Sequence, residues 1–409
     1  MNLPSQLADS SGASRLQIFV SDLGATGVVR NAIALANEAA ASGYQVRLLT
    51  CNPDGLLRAQ LRPDVTIVRL NEGSDAARPR RAQMQRALLA YRKHSRDWAP
   101  DIMLSAGNHG HLLSTIAWLG LRGTKVLRIS NDINHGSPSW LTRVWRAAKF
   151  AVIGSLADKL VLVSQAQGKH SFLARQIAVG KADIIANGVD ADAVRAAAAS
   201  PCAHPWRDEP RTPYALAVGR HVKQKNFDVL LRAFAKARAE RPLRLMILGE
   251  GEPSALDRLR SLASELGVEG DVQFVPATGN PFPYIASASA LILPSLWEGS
   301  ANVLLEAIAC GTAVVASRTA GDADHVLGSG KFGLLVDPCD VDQLADAILR
   351  QVGPDSVRPG NRAADFGRAE AMRKYIQLFD DLSRPRARGE ARVSRSPTLE
   401  FPASSAARA

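Results

Sequence analysis

The sequence predicts an α/β protein in two halves, each a parallel sheet covered by helices on both faces. Three features lead there. Short apolar runs alternate with longer helix-period segments along most of the chain, a rhythm that requires crossover helices and therefore parallel strands. Glycine and polar residues gather where the apolar runs end, which is the ligand edge of an open α/β sheet. The alternation breaks at 198–213, a stretch with four prolines and no periodicity, read as an interdomain linker. The expected partition is 1–14 disordered, 15–197 a first domain, 214–363 a second, 364–382 a final helix and 383–409 a disordered basic tail.

In the first half, strands are expected at 16–20, 46–50, 65–70, 101–105, 125–130, 160–163 and 183–185. The helix after the first strand places Val28, Ala32, Leu35, Ala36 and Ala39 on one side and stops at Gly43. A basic amphipathic helix covers 79–98. The second half continues with strands at 214–218, 243–248, 272–275, 291–293, 313–316 and 333–337, and helices at 227–239 and 303–310. The 291–317 stretch is a compact strand–loop–helix–strand unit. Its first strand ends at Pro294-Ser295 and its helix at Gly311.

Length and composition narrow the class. The 409 residues suit two ordinary domains, and a hydrophobic fraction of 46% supports full cores. Cys51, Cys202, Cys310 and Cys339 form no C-x-x-C pair, which argues against a zinc, iron–sulfur or disulfide framework and fits a reducing cytoplasm. No apolar run of about 18 residues marks a membrane span. Residues 1–14 lack the apolar core of a secretory signal. A net charge of +11 calls for an anionic partner such as a nucleotide sugar, a phospholipid or a lipid diphosphate. Without a recognisable nucleic-acid module, nucleic acid is not expected.

Several strand-end residues have the chemistry of a site. Gly24 and Gly27 sit at the first strand–helix turn, open to close approach of a phosphate or simply making a tight turn. Their spacing is not the dinucleotide G-x-G-x-x-G. After the strand at 214–218 come Gly219, Arg220 and Lys225, two cations able to converge on a diphosphate or to stand as ordinary surface charges. Gly249 and Pro276 end the next two strands. Glu298 precedes the helix at 303–310 and Glu306 lies inside it among apolar neighbours, with Gly299, Ser300, Ala301 and Asn302 between. Two carboxylates around a helix N-terminus fit a polar small molecule whose anionic group the free N–H groups hold. His109 lies in the polar loop after 101–105, with His111 close by and His135 a competitor. Asp190-Ala191-Asp192 reads as a helix start, not a metal motif.

Together these residues carry a resemblance. Gly219-Arg220 with Lys225, Gly249-Glu250-Gly251, Glu298-Gly299-Ser300 with Glu306-Ala307 and Gly311, and Gly333-Leu334-Leu335-Val336 resemble the C-terminal half of retaining glycosyltransferases of family four. Asn187-Gly188-Val189-Asp190 resembles the end of that family's N-terminal domain, and 24–30 its first glycine loop. The resemblance spans roughly 16–382. It implies the GT-B fold, two Rossmann-like domains facing a central cleft with a C-terminal crossover helix. The first domain then binds the acceptor and the second the nucleotide sugar. Arg220 and Lys225 would bind the donor's phosphates, Glu298 the sugar and Glu306 the ribose hydroxyls. Gly24, Gly27, Gly219, Gly249, Pro276 and 299–302 would line the donor.

His109 would stand near the donor sugar, with His135 as alternative, and Asp132 and Asn134 on the acceptor side. A glycosidase-like carboxylate pair, which needs carboxyls ~5–9 Å apart across the scissile bond, is set aside: the donor's phosphate would take the acceptor's proton, with no protein nucleophile, no metal and no cofactor. Two loops depart from the family pattern. Val29 stands where Glu is usual before Arg30, and Ala320-Gly321-Asp322-Ala323-Asp324 replaces Gly-Gly-x-x-Glu.

The run 279–285 resembles bacterial polysaccharide and lipid-linked-glycan members, where UDP donors are frequent. The expected reaction moves a hexose or N-acetylhexosamine from a UDP-sugar to a glycan or lipid-linked glycan. A nucleotide-sugar 2-epimerase of the same fold and a non-catalytic nucleotide-sugar-binding regulator are the alternatives. The segment 139–151 mixes Trp140, Leu141, Val144, Trp145 and Phe150 with Arg143, Arg146 and Lys149. It is either an ordinary packed helix or one that lies on an anionic membrane.

Overall fold

The structure, a computed structural model, describes residues 13–71, 80–131, 139–201, 206 and 212–384. The first half runs β1 (Arg15–Asp22), α1 (Gly27–Ala41), β2 (Gln45–Asn52), β3 (Thr66–Arg69), α2 (Arg80–Trp98), β4 (Ile102–Ser105), α3 (His111–Ala117), β5 (Thr124–Ile129), α4 (Trp140–Leu156), β6 (Lys159–Leu162), α5 (Gln165–Gly168), α6 (Ser171–Ala178), β7 (Ala182–Ile184) and α7 (Ala191–Ala198). The second runs β8 (Tyr214–Val218), α8 (Phe227–Glu240), β9 (Arg244–Leu248), α9 (Pro253–Glu265), β10 (Val272–Val275), α10 (Phe282–Ser287), β11 (Ala290–Leu293), α11 (Asn302–Ala309), β12 (Ala313–Ser317), α12 (Ala323–Val326), β13 (Leu334–Val336), α13 (Val341–Gln351) and α14 (Arg368–Ser383). Each expected strand coincides with an observed one apart from its end residues. The helices at 253–265 and 341–351 fill gaps that the sequence reading left unassigned.

The strands form a seven-stranded sheet, β3-β2-β1-β4-β5-β6-β7, and a six-stranded sheet, β10-β9-β8-β11-β12-β13. Neighbours pair in parallel. In both sheets the order reverses once, at β1/β4 and at β8/β11, so loops leaving those strands diverge and open a crevice. Side chains alternate between the two covered faces, as parallel sheets demand. Leu16, Ile18 and Val20 enter one cluster with Ala36 and Phe379, while Phe19 enters another with Tyr91 and Trp118. In the second sheet Leu291 and Leu293 oppose Ala290 and Ile292 in the same way.

The chain crosses between halves twice, side by side. Val189 and Gly367 form a parallel bridge; Val189 N donates to Phe366 O (2.8 Å) and Arg368 N to Val189 O (3.0 Å). The final helix then packs on the first half: Tyr375 and Phe379 are buried in its core, and Tyr44 Oη donates to Asp380 Oδ1 (2.5 Å). The expected single helix over 364–382 is therefore corrected to a short turn at Arg362–Phe366, an extended Gly367 and then α14. Extension at Gly367 is what lets the chain bridge to Val189. Residue 198, placed in the linker by sequence, ends α7. Trp206 is buried, with the Arg244 guanidinium 5.0 Å from its ring centre. The rest of 202–211, residues 1–12 and 385–409, and Asp132, Asn134 and His135 lie outside the described residues.

Candidate active site

The carboxyl edges of the two sheets meet, and the sequence-predicted residues gather there. The loop after β8 is held by its own backbone. Gly219 N donates to Leu248 O (2.9 Å), and a Cβ at Gly219 would lie 2.6 Å from Lys225 Cε. Only glycine lets Lys225 fold back over the strand end. Asn226, at φ +56°, occupies the left-handed region that Asn tolerates; its amide donates to Pro294 O (3.1 Å) and Pro338 O (2.6 Å). Gly249 backs this loop: a Cβ there would meet Gly219 O at 1.9 Å. Pro276 is exposed at the end of β10, and Arg220 is exposed beside the loop.

Lys225 and Glu298, assigned by resemblance to different parts of the donor, are joined to each other. Lys225 Nζ lies 2.7 Å from Glu298 Oε1, with the side chains only 16% and 10% exposed. Ser295 Oγ donates to the same oxygen (2.8 Å) and Gln224 Nε2 to Oε2 (3.1 Å). Burial weakens solvent competition for such a pair but makes each charge depend on the other.

Glu306 is placed differently. It lies one turn into α11, and its carboxylate accepts no hydrogen bond from any described residue. Burial pushes its carboxyl above the ordinary value, against the opposing charges of Arg30, Arg368 and Lys225. Ala301 stands at the cap of α11 and supplies no capping side chain; Asn302 N and Leu304 N turn back onto Ser300 O (3.1 Å) and Ala301 O (2.9 Å), and the rest of the first turn has no side-chain cap. An unpartnered carboxylate and a helix start without a side-chain cap within one turn form a hydroxyl-and-anion-binding combination.

The first half closes over this loop. Thr26 caps α1, and a Cβ at Gly27 would lie 2.5 Å from Asn302 Nδ2. Asn302 Nδ2 donates to Gly27 O (3.2 Å), and Arg30 donates to Gly279 O (2.9 Å). Gly299 passes so near the loop after β5 that a Cβ would be 2.3 Å from Ser130 O. Gly24 N donates to Asp22 Oδ1 (3.1 Å) within its own turn.

The two neighbouring histidines separate. His111 is buried, hydrogen-bonded to Ser105 Oγ (2.8 Å), and burial pulls its ring down to about 3. It is a neutral structural histidine. His109 is exposed in the loop between β4 and α3. Its neighbour Asn108 accepts from Ser130 N (2.8 Å) and donates to Asn131 O (2.9 Å), tying two ligand-edge loops together.

Other contributors were given no role in the site by the sequence. The buried Arg128 donates to Tyr375 Oη (3.0 Å), Ala106 O (3.2 Å) and Asn187 Oδ1 (2.6 Å). Asn187 donates onward to Asn302 Oδ1 (2.8 Å). The crossover helix is thus linked through Arg128 and Asn187 to the start of α11. Asp322 accepts from the N–H groups of Gln165 (2.9 Å) and Ala166 (2.8 Å) at the start of α5, latching one half to the other. Between latch and relay lies a cavity of about 180 Å³ bounded by Asn187, Ser300, Asp322, His325 and Phe366. Asn187 has a signal in its Asn-Gly-Val-Asp context; Arg128, one of two cations in its strand, has none. Among the described residues no group of three His, Cys, Asp or Glu side chains could hold a metal.

Two Rossmann-like parallel sheets facing across one cleft, with a crossover helix returning to the first, constitute the GT-B architecture. Family models agree: residues 25–193 match Glycosyltransferase Family 4 and residues 212–353 match Glycosyl transferases group 1. The chain belongs to the family-four glycosyltransferases. It is 26% identical over 298 residues to the N-acetylgalactosamine-N,N'-diacetylbacillosaminyl-diphospho-undecaprenol 4-alpha-N-acetylgalactosaminyltransferase of Campylobacter jejuni, covering 72% of this chain and 78% of that one. It is 35% identical over 176 residues to the lipopolysaccharide core biosynthesis glycosyltransferase LpsE of Rhizobium meliloti. That match covers 41% of this chain and spans about half, 49%, of the relative. Among solved structures, a sucrose-phosphate synthase from Thermosynechococcus elongatus shares the fold at TM-score 0.72 and 21% identity, over 90% of this chain and 99% of that one. HepE from Anabaena, solved with UDP-glucose, does so at TM-score 0.71 and 16% identity, with 90% and 99% covered.

Proposed function

We propose that this glycosyltransferase is retaining and moves a hexose or N-acetylhexosamine from a UDP-sugar to a glycan or lipid-linked glycan in polysaccharide or lipopolysaccharide assembly. The observation that carries the reading is Glu306: a partly buried carboxylate with no described hydrogen-bond partner, one turn into a helix without a side-chain cap and beside the Arg220–Lys225 loop. A ribose diol would supply the hydrogen-bond donors it lacks. Arg220, Lys225 and the α11 start then hold the diphosphate, and Glu298 orients a sugar hydroxyl. His109 lines the sugar from the first half, which binds the acceptor.

In this reading the bond from anomeric carbon to phosphate oxygen breaks as the acceptor oxygen bonds that carbon on the same face. The departing phosphate oxygen receives the acceptor's proton. Arg220 and Lys225 stabilise the charge that collects on the leaving diphosphate. No protein nucleophile and no metal takes part. The relatives' printed names support the substrate classes, a diphospho-undecaprenol acceptor for the Campylobacter protein and a UDP-sugar in HepE. The protein would act at the cytoplasmic side of a membrane without spanning it.

The test is turnover with EDTA present, UDP-sugars as donors and a polyprenyl-diphosphate sugar as acceptor, with product configuration read by NMR. UDP release that requires acceptor and retains the anomeric configuration supports the proposal. Inverted product overturns retention. UDP release without any acceptor points to the epimerase, and tight UDP binding with no product from any donor to the regulator.

A further inference from the structure

The first half carries an apolar face that the cleft does not use. On α4, Leu141, Trp145, Val152 and Leu156 recur at spacings of four, seven and four, and so lie along one side of the helix. Trp140 and Val144 flank them. All six are 47–65% exposed. The opposite side of the same helix, with Phe150 and Ile153, is buried in the core. α3 lies against α4 and adds Leu112 and Ile116, with Leu119 just past its end, each at least 41% exposed. Large apolar side chains on the outer faces of two adjacent helices form a contiguous patch that a monomer in water has reason to cover.

Charge says what covers it. Lys149 borders the patch, its Nζ 5.3 Å from the Trp145 ring centre, and Arg146 is exposed farther round the same helix. Asp132 is the sole acidic residue from 102 to 157, against six lysines and arginines. A two-fold contact with a second copy would set these cations against their own kind. An anionic bilayer offers the opposite charge, headgroup-level sites for indoles and an apolar interior for the aliphatic side chains. No described helix is long and apolar enough to cross a membrane.

We propose that the α3–α4 face docks the protein on an anionic bilayer surface, with Trp140 and Trp145 seated among the headgroups and Arg146 and Lys149 on the phosphates. Both helices start where strands of the first sheet end, so the Leu112 and Trp140 end of the face adjoins the cleft. If the proposed transfer reaction holds, a lipid-linked acceptor would enter there. The docking itself does not depend on that reaction and is tested without substrate.

The experiment is co-sedimentation of the full chain with vesicles of phosphatidylcholine alone or with about 30% phosphatidylglycerol, a composition that sets the anionic surface potential. Indole emission is followed in parallel. Binding to the anionic vesicles, weaker binding to the neutral ones, release by salt and a blue shift of emission are expected. Leu141→Glu/Trp145→Glu should abolish binding while leaving the thermal midpoint unchanged. Arg146→Gln should lower the partition coefficient about fivefold. Wild-type protein that stays in the supernatant overturns the proposal, as does a double variant that binds like wild type. A concentration-dependent dimer in sedimentation velocity that the double variant dissolves would give the face to a second copy instead.

Discussion

Replacing Lys225 by Met tests whether the ion pair under the β8 loop is a structural fastener or a held-back phosphate ligand. Glu298 is only 10% exposed and keeps Ser295 Oγ and Gln224 Nε2 when the ammonium goes. Removing one partner of a buried pair costs about 3–5 kcal/mol; with two neutral donors remaining, the low end, about 3 kcal/mol, applies. At about 2–4 °C per kcal/mol for a domain of this size, the melting midpoint should fall about 6–12 °C. The double variant Lys225→Met/Glu298→Gln leaves no buried charge and should recover most of that loss. Breaking the solvent-screened Arg62–Asp64 pair, by contrast, should leave the midpoint within error.

The informative arm is ligand binding. Glu298→Gln frees Lys225 from its partner, so UDP, which carries the diphosphate without the sugar, should bind up to about tenfold tighter, the equivalent of about 1.4 kcal/mol. Transfer should nevertheless fall, because the sugar has lost its carboxylate. Isothermal titration of UDP into wild type, each single variant and the double variant completes the cycle. Weaker UDP binding in Glu298→Gln would refute the competition between carboxylate and diphosphate for Lys225. So would a Lys225→Met midpoint no lower than that of the Arg62–Asp64 control.

Three further outcomes follow from the same geometry. Arg128→Met takes one donor from each of Tyr375 Oη, Ala106 O and Asn187 Oδ1, so the midpoint should fall by the equivalent of about 3 kcal/mol; a shift within error would show the relay to be incidental. Glu306→Gln should stabilise the free protein at neutral pH while weakening UDP binding about tenfold, a loss of order one good hydrogen bond to a charged group. Burial raises the folded carboxyl, so the stability this group contributes is present below its unfolded value and lost as pH rises through the folded one. The gain of the Gln variant should therefore vanish in melts run toward pH ~4. Gly299→Ala puts a Cβ 2.3 Å from Ser130 O and so forbids the closed cleft. Small-angle scattering should record a larger radius of gyration and turnover should drop about a hundredfold, whereas unchanged scattering would mean that the loop yields instead.

The sheets were legible because parallel strands buried on both faces are written as continuous apolar runs, and the loops between them punctuate with glycine. The site was legible as a set of residue types but not as a set of contacts. Lys225 and Glu298 stand 73 positions apart; what makes them partners is that β8 and β11 are neighbours at the reversal of strand order, a fact of topology that no local pattern carries. Arg128 is harder still. Its partners lie 59 and 247 residues away, and one of them arrives on a helix that has crossed back from the other half. His109 and His111 differ by two positions, yet the onset of α3 sends one into the core and leaves the other exposed.

Helix α4 shows the same limit from the other side. Its sequence offers Trp140, Leu141, Val144, Trp145 and Phe150 as a single apolar set, which invites a choice between packing and membrane. In three dimensions the set divides: Phe150 and, beyond it, Ile153 point into the core, while the tryptophans and Leu141 point out. The two readings were never exclusive, because a helix apolar on two opposite sides satisfies its own fold with one and has the other to spend on a partner.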